Sequence, residues 1–251
     1  MPTTQPHDPV PTAPVPTRPA GRPIDSTPGT TPDTTSHTTS DTRRVHFLRR
    51  PFRLIRENLR AYLFLNLAAY GLVAIGFVVG LIFPELPAAR AAALEADGTA
   101  DTVRGVLDSA PLFALLIFAV NVFRLSLATI ILPSLIVPFA GLAVFGYWAV
   151  ETGITLVPTT PIGWVAQIPH SLTVLIELQA YVLFLLGAYL LGRNWLFPKL
   201  IGAPTRRRGY LEGLKSIGLL ALPALVLLII GAIWEGYSLL YLVHPLSQIL
   251  L

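Results

Sequence analysis

The sequence predicts an all-α fold: a polytopic transmembrane helical bundle of five spans, N-terminus inside and C-terminus outside, behind a disordered N-terminal tail. Three observations predict it. Of 251 residues, 53% are hydrophobic and only 13% charged, an imbalance that suits a membrane protein better than a soluble domain. The apolar residues gather into five stretches, each near the ~20 residues a helix needs to cross a bilayer. The basic residues cluster beside those stretches, which marks a membrane surface rather than a nucleic-acid patch.

Residues 1–44 form the tail. Pro and Thr dominate it, with Ser, Asp and Gly, and residues 2–42 contain no aromatic side chain. Such a segment buries too little apolar surface to offset its ordering entropy. It lacks the apolar core of a secretory signal peptide. It serves either as an unstructured tail or as a tether or proline-rich docking segment.

Residues 45–60 read as a basic amphipathic juxtamembrane helix. Arg49, Arg50, Arg53, Arg56 and Arg60 interleave with Phe47, Leu48, Phe52, Leu54 and Ile55, and Pro51 is placed to break or kink the helix. The segment either lies in an anionic leaflet or only sets topology by its charge.

Residues 61–251 form the five-span domain. The spans run from Ala61 to Phe83, Pro111 to Leu132, Ser134 to Val150, Pro169 to Gly192 and Ser216 to Val243. Span three is the shortest, with Pro133 and Pro138 at its start to allow a tight turn from span two. Gly76 and Gly80 give span one a Gly-x-x-x-Gly pair, which lets backbones approach, within the bundle or between copies. Trp148, Trp164 and Trp195 sit at span ends as interfacial anchors.

The loops orient the bundle. The link after span one is acidic, carrying Glu85, Glu95, Asp97, Asp101 and Asp108 against Arg90 and Arg104, and its Ala88–Ala96 stretch predicts a helix. The link from Thr152 to Val165 is uncharged. The link after span four carries Arg193, Lys199, Arg206, Arg207, Arg208 and Lys215, with only Glu212 opposing. Basic loops stay in the cytoplasm, so five crossings satisfy every loop at once.

A few polar and ionisable residues lie at membrane depth, where charge is costly and usually faces a protein interior or a water-filled cavity. Asn121 and Arg124 are three apart on span two and so neighbours on its surface. Glu151 ends span three, His170 opens span four behind Pro169, Glu177 follows seven residues later on the same face, and Glu235 lies late in span five. Arg124 is the natural partner of Glu177, with Glu235 the other candidate. The six residues form either a buried polar cluster that pins the bundle or the lining of a path for a ligand or proton.

Soluble-enzyme patterns are absent. With no cysteine there is neither disulfide nor thiol chemistry. There is no Walker-type phosphate loop and no Gly-x-Ser-x-Gly elbow. Ser171 beside His170 faces a different way on a helix, so it is no nucleophile–base pair. Without a His-x-x-x-His pattern, no metal site is expected. No enzymatic role, cofactor or nucleic-acid partner is expected.

The second half carries a resemblance. Ile168-Pro169-His170-Ser171, followed by Glu177-Leu178-Gln179-Ala180, resembles the Pro-His…Glu-Leu-x-Ala signature of the stage II sporulation protein M family. Gly231-Ala232-Ile233-Trp234-Glu235-Gly236-Tyr237 resembles that family's last span, and Phe118-Ala119-Val120-Asn121 its Asn-bearing second span. The chain thus looks like a divergent member over roughly residues 110 to 243. The resemblance implies a multi-pass protein of the bacterial cytoplasmic membrane, acting as a non-enzymatic scaffold for cell-envelope partners. The family is also similar to exporter permeases of the ABC type. The alternative it implies is a permease-like subunit that depends on a separate ATPase.

Overall fold

The computed structural model describes residues 49–251; the tail expected over 1–44, and residues 45–48 of the juxtamembrane helix, lie outside the described residues. The described chain is helical throughout, with no strand among the described residues. Residues 49–57 form α1, which passes through Pro51 unbroken. The break comes instead at Asn58, whose backbone leaves the helical region and whose side-chain amide donates back to Leu54 O at 3.0 Å. An Asn side chain can offer its own hydrogen bond where the backbone ladder stops.

α2 (Leu59–Ile82) leads into the short helices α3 (Glu85–Ala96) and α4 (Thr99–Arg104), with Gly98 in the left-handed region between them. Next comes a continuous rod of three windings: α5 (Ala110–Ala119), a π-helical segment (Val120–Ile131) and α6 (Leu132–Ile136). The hydroxyls of Ser126 and Thr129 donate to the carbonyls five residues back, Asn121 O and Arg124 O, in keeping with the wide turn. The rod therefore runs through Pro133 and ends beyond it, a correction to the expected boundary. Pro133 falls where the winding narrows back to α, at the start of α6, where a missing N–H costs little. The turn is at 137–139. Phe139 takes φ +65°, and Gly141 lies so close to Ile130 O that a Cβ would come within 1.9 Å of it.

α7 (Ala140–Thr155), α8 (Pro161–Leu196), a 3₁₀ turn (Pro198–Ile201), α9 (Arg206–Tyr241) and α10 (Val243–Leu250) complete the chain. Among the described residues, four helical stretches are long and apolar enough to cross a membrane: Leu59–Ile82, Ala110–Ile136, Pro161–Leu196 and Arg206–Tyr241. This is a membrane-embedded helical protein. The third expected span corresponds to α7, whose 16 residues fall short of those four. Two further boundaries are corrected. Thr152 belongs to α7, so the uncharged link expected from Thr152 to Val165 shrinks to 156–160. α8 starts at Pro161, where Thr160 Oγ1 accepts from Gly163 N at 3.1 Å, so Pro169 is interior to the helix and does not open it. The Thr-Pro start signal eight residues earlier wins because it supplies both a cap and a pre-set φ.

α8 is the hub. Its most apolar stretch is 67% buried, against 28%, 22% and 33% in the other three long helices, so it meets protein where they face outward. It packs most extensively on α9. Its Gly187 lies against Ile217 of α9, and Gly209 and Gly213 of α9 lie against Asn194 and Leu191. The second tight crossing joins α2 to α7. Gly76 meets the backbone of Val150, Gly80 meets Ile154 and Val157, and Gly153 meets Val73 and Phe77.

At Gly76 an added Cβ would sit 2.1 Å from Val150 O, and backbone cannot yield as a side-chain tip can. Gly76→Leu should lower stability by about 1–3 kcal/mol or more through overpacking. Gly71→Ala, on the same helix with nothing within 4 Å of the new carbon, should be neutral or gain up to about 1 kcal/mol. Thermal melting of the two variants in one detergent checks the contrast.

Candidate binding cavity

A cavity of about 490 Å³ opens between α2, the α5–π rod, α7, α8 and α9, with Thr99, Thr102 and Val103 of α4 at its rim. Its wall is mostly apolar, from Phe113, Leu116, Ile117, Val120 and Val174 among others. Five of the six candidate site residues line it: Asn121, Arg124, His170, Glu177 and Glu235. Glu151 does not. It pairs with Arg90 of α3 at 3.3 Å, both side chains about one-third exposed, and so ties α3 to the end of α7.

Glu177 sits near the middle of α8. The Asn121 amide donates to Glu177 Oε1, and Tyr181 Oη donates to Asn121 Oδ1 at 2.9 Å. Tyr181 lies one turn beyond Glu177 and is 1% exposed, so this hydrogen-bonded chain runs from the core to the cavity surface. Gly231 of α9 makes room for it, since a Cβ there would lie 3.2 Å from Glu177 Cγ. Glu177 Oε2 has no hydrogen-bond partner among the described residues, and the residue keeps some accessible surface, which the cavity provides.

Arg124 does not pair with Glu177 or Glu235, a correction to the expected ion pair; it makes no salt bridge among the described residues. It is exposed at the cavity mouth. The reason is the π winding, whose i→i+5 turn opens the angle between positions three apart, so Arg124 diverges from Asn121 rather than lying beside it. Its charge acts instead on Asp97, between α3 and α4. The Asp97 carboxyl is held below its usual range chiefly by hydrogen bonds from Thr99, with Arg124 and Arg90 adding attraction.

His170 Nδ1 approaches Glu235 Oε1 at 3.1 Å, linking α8 to α9 beside the cavity. The approach is close but poorly aligned, so His170 Nδ1 is buried without a proper hydrogen bond. Beside it, Trp234 Nε1 donates to Pro169 O at 3.0 Å.

Trp148, expected as an interfacial anchor, instead forms the cavity wall, 5.5 Å edge-on from Tyr181 and 5.2 Å from Phe145. Its place follows from the bounds of α7: the helix runs from Ala140 to Thr155, so Trp148 stands at its middle and not at its end. Trp164 is 48% exposed and edge-on to Phe77, and Trp195 packs edge-on to Tyr210.

A second polar set on α8 is not among the expected site residues. Gln179 accepts from Tyr62 Oη at 2.8 Å and donates to Asn66 Oδ1 at 2.5 Å and to Tyr70 Oη at 3.0 Å. Tyr70 Oη in turn donates to Leu175 O at 2.9 Å. The signal was present, since Tyr62, Asn66 and Tyr70 recur every fourth residue and make a polar stripe on an apolar helix. Near the opposite end of α8, Arg193 donates to Asn58 Oδ1 at 2.9 Å and stands over the Tyr189 ring. Searches against family models, characterised proteins and solved structures return no match for this chain.

Asn121→Leu should strand both the Tyr181 hydroxyl and Glu177 Oε1, lowering stability by about 1–3 kcal/mol for each group left unpaired. Adding Tyr181→Phe should recover part of that loss, because removing both partners costs less than removing one; melting curves of the single and double variants decide it. At the rim, Asp97 accepts from Thr99 N at 2.9 Å at the start of α4. Because its folded-state pKa is depressed, its stabilisation of this turn is complete above the unfolded carboxylate range (about 3.9). It is lost as pH falls through the lower folded value. Asp97→Ala should therefore raise amide exchange at 99–104, relative to wild type, at neutral pH and should no longer do so in strong acid.

Proposed function

We propose that this chain is a permease-type subunit of the bacterial cytoplasmic membrane, whose working part is the cavity beside Glu177. The observation that carries the reading is the space itself. Packed helices normally leave few voids larger than a water molecule, whereas this one is about 490 Å³ and holds an unpaired carboxylate oxygen. Its size falls within the range of small-molecule pockets (about 300–1,000 Å³), and its make-up, apolar wall with a few converging polar groups, is theirs as well. Irregular winding and ionisable side chains at membrane depth are tolerated where they border such a space.

The proposal takes α7 as a fifth crossing, with the N-terminus inside and the C-terminus outside. At about 24 Å, α7 is shorter than the ~30 Å hydrocarbon core, a mismatch that local thinning accommodates at modest cost. Charge supports the orientation. The acidic residues Glu85, Glu95, Asp97, Asp101 and Asp108 gather at one end, and Arg193, Lys199 and Arg206–Arg208 at the other.

The reading assigns binding and passage rather than bond-making chemistry, and any ATP-driven step would come from a separate ATPase. The resemblance to the stage II sporulation protein M family supports a second reading, a scaffold for envelope partners. The feature favouring it is the largely exposed α3, which presents an outward surface held down by the Arg90–Glu151 pair.

Because the chain has no cysteine, single-cysteine variants report position without background. Ile117→Cys in the cavity wall and Thr102→Cys at its rim should react in intact cells with a small membrane-impermeant thiol reagent. Val226→Cys, on the outward face of α9, should not, and Arg207→Cys should react only after permeabilisation. An inert Ile117→Cys beside a reactive Thr102→Cys would favour the scaffold reading.

A further inference from the structure

We propose that the cavity takes an amphipathic organic cation, its positive centre against Glu177 Oε2 and its apolar groups between Trp148, Tyr181 and the wall of α5. This rests on the permease reading and narrows it to a substrate class.

The charges facing the cavity come from three elements. α8 contributes His170 and Glu177, α9 contributes Glu235, and the π segment contributes Arg124; α2, α4 and α7 present no charged group to it. Each group but one is engaged. Glu235 and His170 face one another. Arg124 is exposed at the mouth, where its charge acts on Asp97. Among the described residues Glu177 has no basic side chain beside it: its Oε1 takes a neutral amide and its Oε2 takes no hydrogen bond. A carboxylate in apolar surroundings is costly without a counter-charge, and a bound cation would supply it.

The surroundings select the kind of cation. Small hard ions such as magnesium or calcium need about six oxygen ligands. Among the described residues, no group of three His, Asp or Glu is placed to hold a metal. The wall is instead apolar and aromatic. Trp148 of α7 meets Tyr181, one turn beyond Glu177 on α8, edge-on at 5.5 Å in the cavity wall, and the faces of such rings attract organic cations. Beside the mouth, residues 85–108 carry Glu85, Glu95, Asp97, Asp101 and Asp108 against Arg90 and Arg104, so the entry stays net acidic even with Arg124 at the mouth, the sign that concentrates cations.

The test uses the full chain in nanodiscs carrying Ile117→Cys, with two probes of the same shape and opposite charge, tetraphenylphosphonium and tetraphenylborate. The phosphonium should slow labelling of Ile117→Cys saturably, by about tenfold; the borate should not. Glu177→Gln, which can still accept the Asn121 hydrogen bond, should abolish the protection while the melting temperature holds. If labelling proceeds but the phosphonium gives no protection, or the borate protects equally, or Glu177→Gln is protected as before, the inference is overturned and the cavity reading stands. If Ile117→Cys is not labelled at all, the cavity reading falls and the inference with it.

Discussion

A helix at the centre of a membrane bundle has neither lipid to face nor bulk water to draw on, so each polar side chain it carries must find a partner on a neighbour. α8 is that helix, and the rest of the fold answers to it. Glu177 and Tyr181 turn one way and take Asn121 from the π segment. Gln179 turns the other way and takes Tyr62, Asn66 and Tyr70 from α2. Arg193 lies near the end and takes Asn58, at the joint between α1 and α2. These bonds fix which face of each neighbour turns inward, a choice that apolar packing alone leaves open, because Leu and Val are as content against lipid as against one another. The glycine crossings then set how close the helices come, not how they are rotated.

The membrane class and the four long helices were legible because length and hydropathy are properties of single segments. Boundaries were less so, for reasons that can be named. Pro133 reads as a break, yet a π-to-α transition offers it a place without a missing bond. Pro169 reads as a helix start, yet Thr160-Pro161 starts the helix earlier with a better cap. The site was legible in its inventory and not in its pairings. Five of six candidates line one cavity, since depth in a span limits what each can meet. The Arg124–Glu177 pairing failed because it assumed α-helical angles, and nothing in single-residue propensity announces twelve residues of π winding. Gln179 could have been found, because its three partners form a regular stripe on α2.

The end of the bundle that carries α3 and α4 shows what the charges do when they are not forced into the interior. Arg90 pairs with Glu151, and Arg104 with Glu95 and Asp101. Exposed pairs of this kind contribute little stability each, so their effect lies in placing α3 and α4 over the bundle. Arg124, by opening toward Asp97, belongs electrostatically with this set although it is rooted in a membrane helix. That reassignment leaves the interior one cation short.

The shortage bears on why the cavity persists. A void lined only by Leu and Phe would be closed by small rotations of α5 or α7, recovering lost dispersion contacts. Here each wall is pinned by something else. α7 is held to α2 at Gly76 and Gly153, where the backbones already touch. α9 is held to α8 by Trp234 on Pro169 O. The rod is held to α8 through Asn121, whose two hydrogen bonds would break if it slid inward over Glu177. Closing the space would also press Glu177 into hydrocarbon with no counter-charge, a cost that grows as water leaves. The same unpaired carboxylate that makes the site attractive to a cation thus helps to keep it open.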